Sequence, residues 1–222
     1  MCGIVGYVGP QEATPIILQG LKRLEYRGYD SAGIAAIRQN GKVDVRRAVG
    51  KLAELEQLVV QRPLAGTIGI GHTRWATHGV PATRNAHPHV GMNGRVVLVH
   101  NGIVENYLPL RQELEAEGIR FSSETDTEVI AQLVERYLES GLPLETAVRR
   151  TLNHLKGAHG IVVIRPDEPD KLVVVRVGNA GGVTLGGGEG EAVIAPELTA
   201  GRPPTRQRGF LEQRPRAAVT RE

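Results

Sequence analysis

Met1-Cys2-Gly3-Ile4-Val5-Gly6 opens the sequence, and the reading of these residues governs the rest. Residues 4–8 alternate apolar side chains with glycine, which predicts a short buried strand. Cysteine at position 2 carries an unusual chemical option. Methionine is trimmed when the next residue is small, and cysteine qualifies. Trimming leaves a thiol and a free α-amine on one residue. Their reference pKa values are ~8.5 and ~7.7–8.0, so the amine can act as a built-in general base near neutrality. Both groups share one α-carbon, so their approach costs little entropy. The plain alternative is a small buried residue at a chain end.

Working outward, residues 12–24 carry Ile16, Ile17, Leu21 and Leu24 at helical spacing, and the helix gives way at Arg27-Gly28-Tyr29-Asp30. Residues 32–37 and 42–47 predict a hairpin turned by Gln39-Asn40-Gly41. A short helix is expected over 51–60. Core strands are expected over 67–71 and 95–99, with a polar loop bearing proline and glycine between them. Helical patterns follow over 105–117, 127–138 and 142–155, then strands over 160–164, 171–177 and 192–195. No internal repeat is found. Strands, then helices, then strands, with hairpins and few βαβ units, predict an α+β fold with antiparallel sheets across 1–222 as a single domain.

The 222 residues suffice for one sizeable core. No apolar run reaches the ~18 residues that span a bilayer, and the start has no basic, long-apolar leader pattern. Neither membrane nor secretion is therefore expected. One cysteine excludes an internal disulfide and makes a reducing cytoplasm the expected compartment. A net charge of +3 is too small to predict nucleic acid as a partner. Residues 178–190 hold seven glycines without a Gly-Lys-Ser/Thr ending, so a flexible hairpin is expected rather than a phosphate loop. Residues 201–222, rich in arginine and proline, read as a solvated tail or the start of a linker.

Residues 57–104 contain no Asp or Glu, yet hold Arg62, Arg74, Arg84 and Arg95 and five of the seven histidines. A basic surface is one reading and a pocket for a small anion the other. His72-Thr73-Arg74-Trp75-Ala76-Thr77-His78-Gly79 favours the pocket, because Arg74 can hold a carboxylate bidentately. Ser123-Glu124-Thr125-Asp126-Thr127-Glu128 supplies candidate anions and also reads as a helix start with Thr125 or Asp126 as N-cap. Trp75 is either a core anchor or a movable lid. Acyl transfer needs donors aimed at a developing oxyanion, and Asn101-Gly102 offers an amide side chain and an approachable N–H, although Asn-Gly after a strand is equally a common turn. The His87-Pro88-His89 spacing does not suit zinc, and no cysteine or carboxylate lies in the stretch. These histidines are expected to bond loop backbone, with no metal.

Jointly, the opening residues, Leu24-Glu25-Tyr26-Arg27-Gly28-Tyr29-Asp30-Ser31-Ala32-Gly33, His72 to Gly79, Asn85-Ala86-His87-Pro88-His89, Val99-His100-Asn101-Gly102-Ile103 and Ser123 to Glu128 resemble one family. It is the glutaminase, or class II glutamine amidotransferase, domain of the glutamine–fructose-6-phosphate aminotransferases (glucosamine-6-phosphate synthases). The Arg-Gly-Tyr-Asp and Thr-Arg-Trp-Ala-Thr-His forms are not typical of phosphoribosyl-pyrophosphate amidotransferase or asparagine synthetase. The resemblance implies an N-terminal-nucleophile hydrolase fold, a four-layer αββα sandwich of two antiparallel sheets. It implies hydrolysis of L-glutamine through a thioester on Cys2, whose α-amine is the base, with no cofactor. Asn101 and Gly102 would form the oxyanion hole. Arg74 would hold the glutamine carboxylate and Asp126 its ammonium, with Thr77 and His78 lining the pocket. Trp75 would sit in the closing loop, and Arg27 would brace the nucleophile region. A sugar-isomerase half, on the same or a separate chain, would receive the ammonia to make glucosamine 6-phosphate from fructose 6-phosphate, and a homodimer would form through it. The other expectation is a silent glutamine-sensing module with Met1 retained. Two departures stand out: Gly178-Asn179-Ala180-Gly181-Gly182 replaces the family's Ser-Pro-Leu, and Ala195-Pro196-Glu197 replaces Ala-Ser-Asp.

Overall fold

A computed structural model describes residues 2–180, 184–188, 190–196, 207–210 and 216–220, the last two segments as backbone. Met1, Gly181, Gly182, Glu197 and the rest of the arginine-rich tail lie outside the described residues. The chain runs β1 (Gly3–Val8), α1 (Ala13–Leu24), β2 (Ser31–Ile37), β3 (Val43–Val49), α2 (Leu52–Gln61), β4 (Ile68–Arg74), β5 (His89–Val90) and β6 (Val97–Gly102). It continues through α3 (Tyr107–Ala116), α4 (Thr127–Glu139), α5 (Leu144–Leu152), β7 (His159–Arg165) and β8 (Glu168–Val177). The last elements are β9 (Thr184–Gly188), β10 (Glu191–Ala195), β11 (Gln207–Phe210) and β12 (Arg216–Thr220).

One sheet has the order β11-β9-β10-β1-β4-β2-β3 and the other β12-β8-β7-β6-β5, with antiparallel pairing between neighbours. The period of two along β1 explains how they stack. Ile4 and Val8 point into a core shared with Val97 and Val99 of β6 and Val162 and Ile164 of β7. Val5 and Tyr7 point the other way, against Ile17 and Leu21 of α1 and Leu55 of α2. The second sheet in turn covers its outer face with α3, α4 and α5 through Leu114, Ile130, Leu133 and Ala147. Helices, sheet, sheet, helices: this is the αββα sandwich that the resemblance implies. No helix among the described residues is long and apolar enough to cross a membrane.

Several elements depart from the sequence reading for identifiable reasons. β4 and β6 run past their expected apolar ends, because Thr73 and Arg74 pair with Gly3 and Ser31 while Asn101 and Gly102 pair with Gly160 and His159. Polar residues that read as loop are thus held in ladders. α3 starts later than expected, since the Glu105 N–H donates to Lys156 O at 3.0 Å and the Asn106 amide bridges His154 and Lys156. The glycine-rich stretch does make a hairpin, β9 with β10, turned near Gly190 at φ 71°. The tail is corrected more deeply. Residues 207–210 and 216–220 are edge strands, one on each sheet, rather than an unpaired tail. Arginine and proline suggested a linker, but residues 207–210 and 216–220 contain no proline and so can donate to the neighbouring β9 and β8.

Candidate active site

Cys2 sits just before β1, where that strand meets β4. The Gly3 N–H donates to Thr73 Oγ1 at 3.2 Å. The Trp75 N–H donates to Cys2 Sγ at 3.2 Å, and the thiol returns a 3.6 Å bond to Trp75 O. Burial pushes the Cys2 thiol above its ordinary pKa, the Trp75 N–H opposes that rise, and the Asp30 charge adds to it. A thiol held mainly protonated needs a base to become a nucleophile.

Asp30 organises the turn beyond Cys2. Its carboxylate accepts from the Ala76 N–H and from Ser31 Oγ, and its own N–H donates to Arg74 O at 3.2 Å. Gly28 has to be glycine here: a Cβ would lie 2.7 Å from the Arg74 carbonyl carbon. The Arg-Gly-Tyr-Asp run therefore works as a clamp on the strand end that carries Arg74 and Trp75.

Arg74 is 3% exposed. Its Nη2 donates to His78 O and, at 3.1 Å, to Gly79 O, while Nη1 is buried without a partner. A buried guanidinium with an unused donor suits an incoming anion. Asp126, also 3% exposed, accepts the Val104 N–H through Oδ2 at 2.8 Å. Its Oδ1 lies 3.8 Å from His78 Nδ1.

Asn101 Nδ2 donates to Cys2 O at 3.0 Å, and Asn101 Oδ1 lies 3.0 Å from His72 Nε2. Gly102 has φ 129°, a conformation that disfavours any side chain, and a Cβ there would meet Ala158 O at 2.1 Å.

One cavity of about 400 Å³ draws these residues together. Cys2, Arg27, Arg74, Trp75, Thr77, Asn101, Gly102 and Asp126 all line it. His78, expected to line the pocket, is not among the lining residues; its Nδ1 lies 3.8 Å from Asp126 Oδ1. Trp75 is 50% exposed and packs edge-on to Tyr29 at 5.4 Å, which corrects the core-anchor reading. Arg27 Nε donates to Tyr26 Oη at 3.0 Å.

His87 and His100 also line the cavity, and the buried histidines depart from expectation. His72 does approach a backbone carbonyl, His100 O, at 3.2 Å. The other contacts are with side chains: His87 and His100 with Thr127 Oγ1, His89 with Thr125 Oγ1, and His100 with His159. Burial, followed by the neighbouring charges, pushes His87, His89 and His100 well below the ordinary pKa and so keeps them neutral. The cavity also takes in Glu105, Asn179, Ala180 and Pro196, which sequence reasoning did not place at the site. The signal was present for three of them, since Asn179, Ala180 and Pro196 fall within the two departures from the family pattern.

Comparison with known proteins agrees with this geometry. The chain is 48% identical to the glutamine–fructose-6-phosphate aminotransferase [isomerizing] of Chlorobaculum tepidum and 50% identical to that of Agrobacterium fabrum. Each match covers 100% of this chain and 36% of the relative, so the chain spans about a third of the length of those proteins. Among solved structures, the glutamine phosphoribosylpyrophosphate amidotransferase of B. subtilis superposes with a TM-score of 0.79 at 26% identity, over 100% of this chain and 49% of that one. A glutamine amidotransferase domain model matches residues 72–182, half of the 222 residues and the part that carries Arg74, Asn101, Gly102 and Asp126. On that match, and with the fold and cavity above, the chain belongs to the glutamine amidotransferase domain family.

Proposed function

We propose that this chain hydrolyses L-glutamine to glutamate and ammonia on Cys2 once Met1 has been removed. The observation that carries the reading is the cavity itself, which gathers Cys2, an unpartnered guanidinium donor on Arg74 and the Asp126 carboxylate. Arg74 takes the α-carboxylate of glutamine and Asp126 its α-ammonium, which sets the side-chain amide against the sulfur. The freed α-amine of Cys2 removes the thiol proton as sulfur attacks the amide carbon. The oxyanion is held by the Asn101 Nδ2 and the Gly102 N–H. The same amine then returns the proton to the departing nitrogen, releasing ammonia and leaving a thioester. Water, deprotonated by the amine, cleaves the thioester to glutamate and restores the thiol.

The aminotransferase names of the full-length relatives support a further step. In a longer protein, or with a separate chain, the ammonia passes to a sugar-isomerase part that makes glucosamine 6-phosphate from fructose 6-phosphate. The test of the first reaction is glutamate release from glutamine by protein whose N-terminus is verified as Cys2. Turnover supports the proposal. Glutamine binding without turnover would favour a sensing module instead.

A further inference from the structure

His72 is fully buried on β4, and its environment fixes which ring nitrogen carries hydrogen. Nε2 faces two oxygens, Asn101 Oδ1 at 3.0 Å and His100 O at 3.2 Å. Neither oxygen has a proton to give, so Nε2 must be the donor and Nδ1 the bare nitrogen. Nδ1 is buried and has no partner. Burial, only partly offset by the bonds to Asn101 and His100, pushes the pKa down to about 4. The ring is therefore neutral at working pH, with one defined tautomer.

That tautomer settles the Asn101 amide as well. Its oxygen must face the His72 N–H, and its nitrogen must then face Cys2 O, the acceptor 3.0 Å away. The two contacts hold the amide plane from opposite ends. One Nδ2 hydrogen is used on Cys2 O, and the other remains for the cavity that Asn101 lines. The His72 ring is itself held against His87, with centroids 4.0 Å apart and planes at 32°, and His87 is fixed by Thr127 Oγ1 at 3.2 Å.

We propose that His72 is a positioning residue for the reaction, its Nε2–H locking the Asn101 amide so that the free Nδ2 hydrogen meets the oxyanion. This rests on the glutaminase reading above. Without the His72 donor, Asn101 Oδ1 loses its partner and the amide can turn, while the groups that bind the ends of glutamine stay in place. The loss should therefore appear in kcat and leave KM nearly unchanged.

The experiment measures glutamine hydrolysis by full-length chain with a Cys2 N-terminus, for wild type, His72→Leu, His72→Gln, His72→Asn, Asn101→Ala and the double variant His72→Leu/Asn101→Ala. His72→Leu should lower kcat roughly ten- to a hundredfold, short of the ~10²–10³ for loss of an oxyanion donor itself. Glutamine presents an N–H donor near the position of histidine Nε2, so His72→Gln should recover most of the rate. Asparagine is shorter and should not. In the Asn101→Ala background the leucine substitution should cost almost nothing more, since its effect runs through that amide. If His72→Leu fails to fold, the Gln and Asn variants still separate the outcomes. An active wild type with unimpaired His72→Leu or His72→Asn overturns the positioning role alone, as does a loss that adds in full to Asn101→Ala. An inactive wild type overturns the glutaminase reading beneath it.

Discussion

The Asp126 carboxylate accepts a 2.8 Å hydrogen bond from the Val104 backbone N–H, although Asp126 occupies the N-cap position of α4 and makes no side-chain cap bond there. The residue thus ties α4 to the segment that follows β6, and it remains at the wall of the cavity. Asp126→Asn keeps an oxygen for Val104 and removes the charge that would meet an α-ammonium. It should weaken glutamine hydrolysis sharply and scarcely affect an amide substrate without the α-amino group. The comparison is kcat/KM for glutamine and its des-amino analogue in both proteins. Equal losses on the two substrates would remove Asp126 from substrate binding.

Arg74→Lys tests the other end of the substrate. Arg74 Nη2 already serves His78 O and Gly79 O, and only the fork leaves Nη1 over for a carboxylate. A lysine has no second arm. Charged hydrogen bonds are worth ~1.5–3 kcal/mol, so kcat/KM should fall roughly ten- to a hundredfold, chiefly through KM. Steady-state kinetics with glutamine give the answer; an unchanged KM would show that the carboxylate binds elsewhere.

Asn101→Ala should act on kcat, because its bond strengthens only as negative charge forms on the substrate oxygen. A reduction of roughly a hundred- to a thousandfold is expected. A change confined to KM would place Asn101 in ground-state binding.

Much of this site was legible in the sequence because its parts are short, contiguous and chemically distinctive. Cys2 next to a glycine-bearing strand, Arg74 in an acid-free stretch and Asn101-Gly102 after an apolar run are each ambiguous alone, and it is their joint occurrence, through the family resemblance, that assigned them roles. The four layers were implied by the family resemblance; the pattern along β1 gave only a buried strand, and the structure shows Ile4 and Val8 separating from Val5 and Tyr7 onto opposite faces. What was not legible depended on long-range pairing. Asp30 holds the Ala76 N–H across 46 positions, and His72 reaches Asn101 across 29, which no local pattern announces. The ends of β4 and β6 were read short for the same reason: their polar residues stay extended because Gly3, Ser31, Gly160 and His159 pair with them. The edge strands at 207–210 and 216–220 were hidden by the arginines and prolines around them.

The buried histidines predict an acid-sensitive fold. The folded-state pKa of His72 is about 4 against an ordinary 6.5, and His87, His89 and His100 are lowered as well. Below pH 6.5 the unfolded chain therefore binds more protons than the folded one. The stability linked to these rings is fully present above pH 6.5 and is lost as pH falls toward the folded-state values. For His72 alone, from 6.5 to about 4, the loss is about 3 kcal/mol at ~1.4 kcal/mol for each tenfold. Urea unfolding at pH 7.5 and pH 5 should show the decline, and His72→Gln should make it shallower. Equal stability at the two pH values would contradict neutral, buried rings.

The central claim is that the α-amine of Cys2 is the base, and the most direct measurement compares two forms of one protein. One form begins at Cys2; the other retains Met1, so that the same nitrogen is a non-basic amide. Mass spectrometry verifies each N-terminus, and glutamate release from glutamine is then followed at pH 7.5, with Cys2→Ala as the reference for a missing nucleophile. The Cys2 form should turn over, and the Met1 form should fall to the level of Cys2→Ala while remaining folded. Equal turnover by the Met1-retaining form would contradict the account.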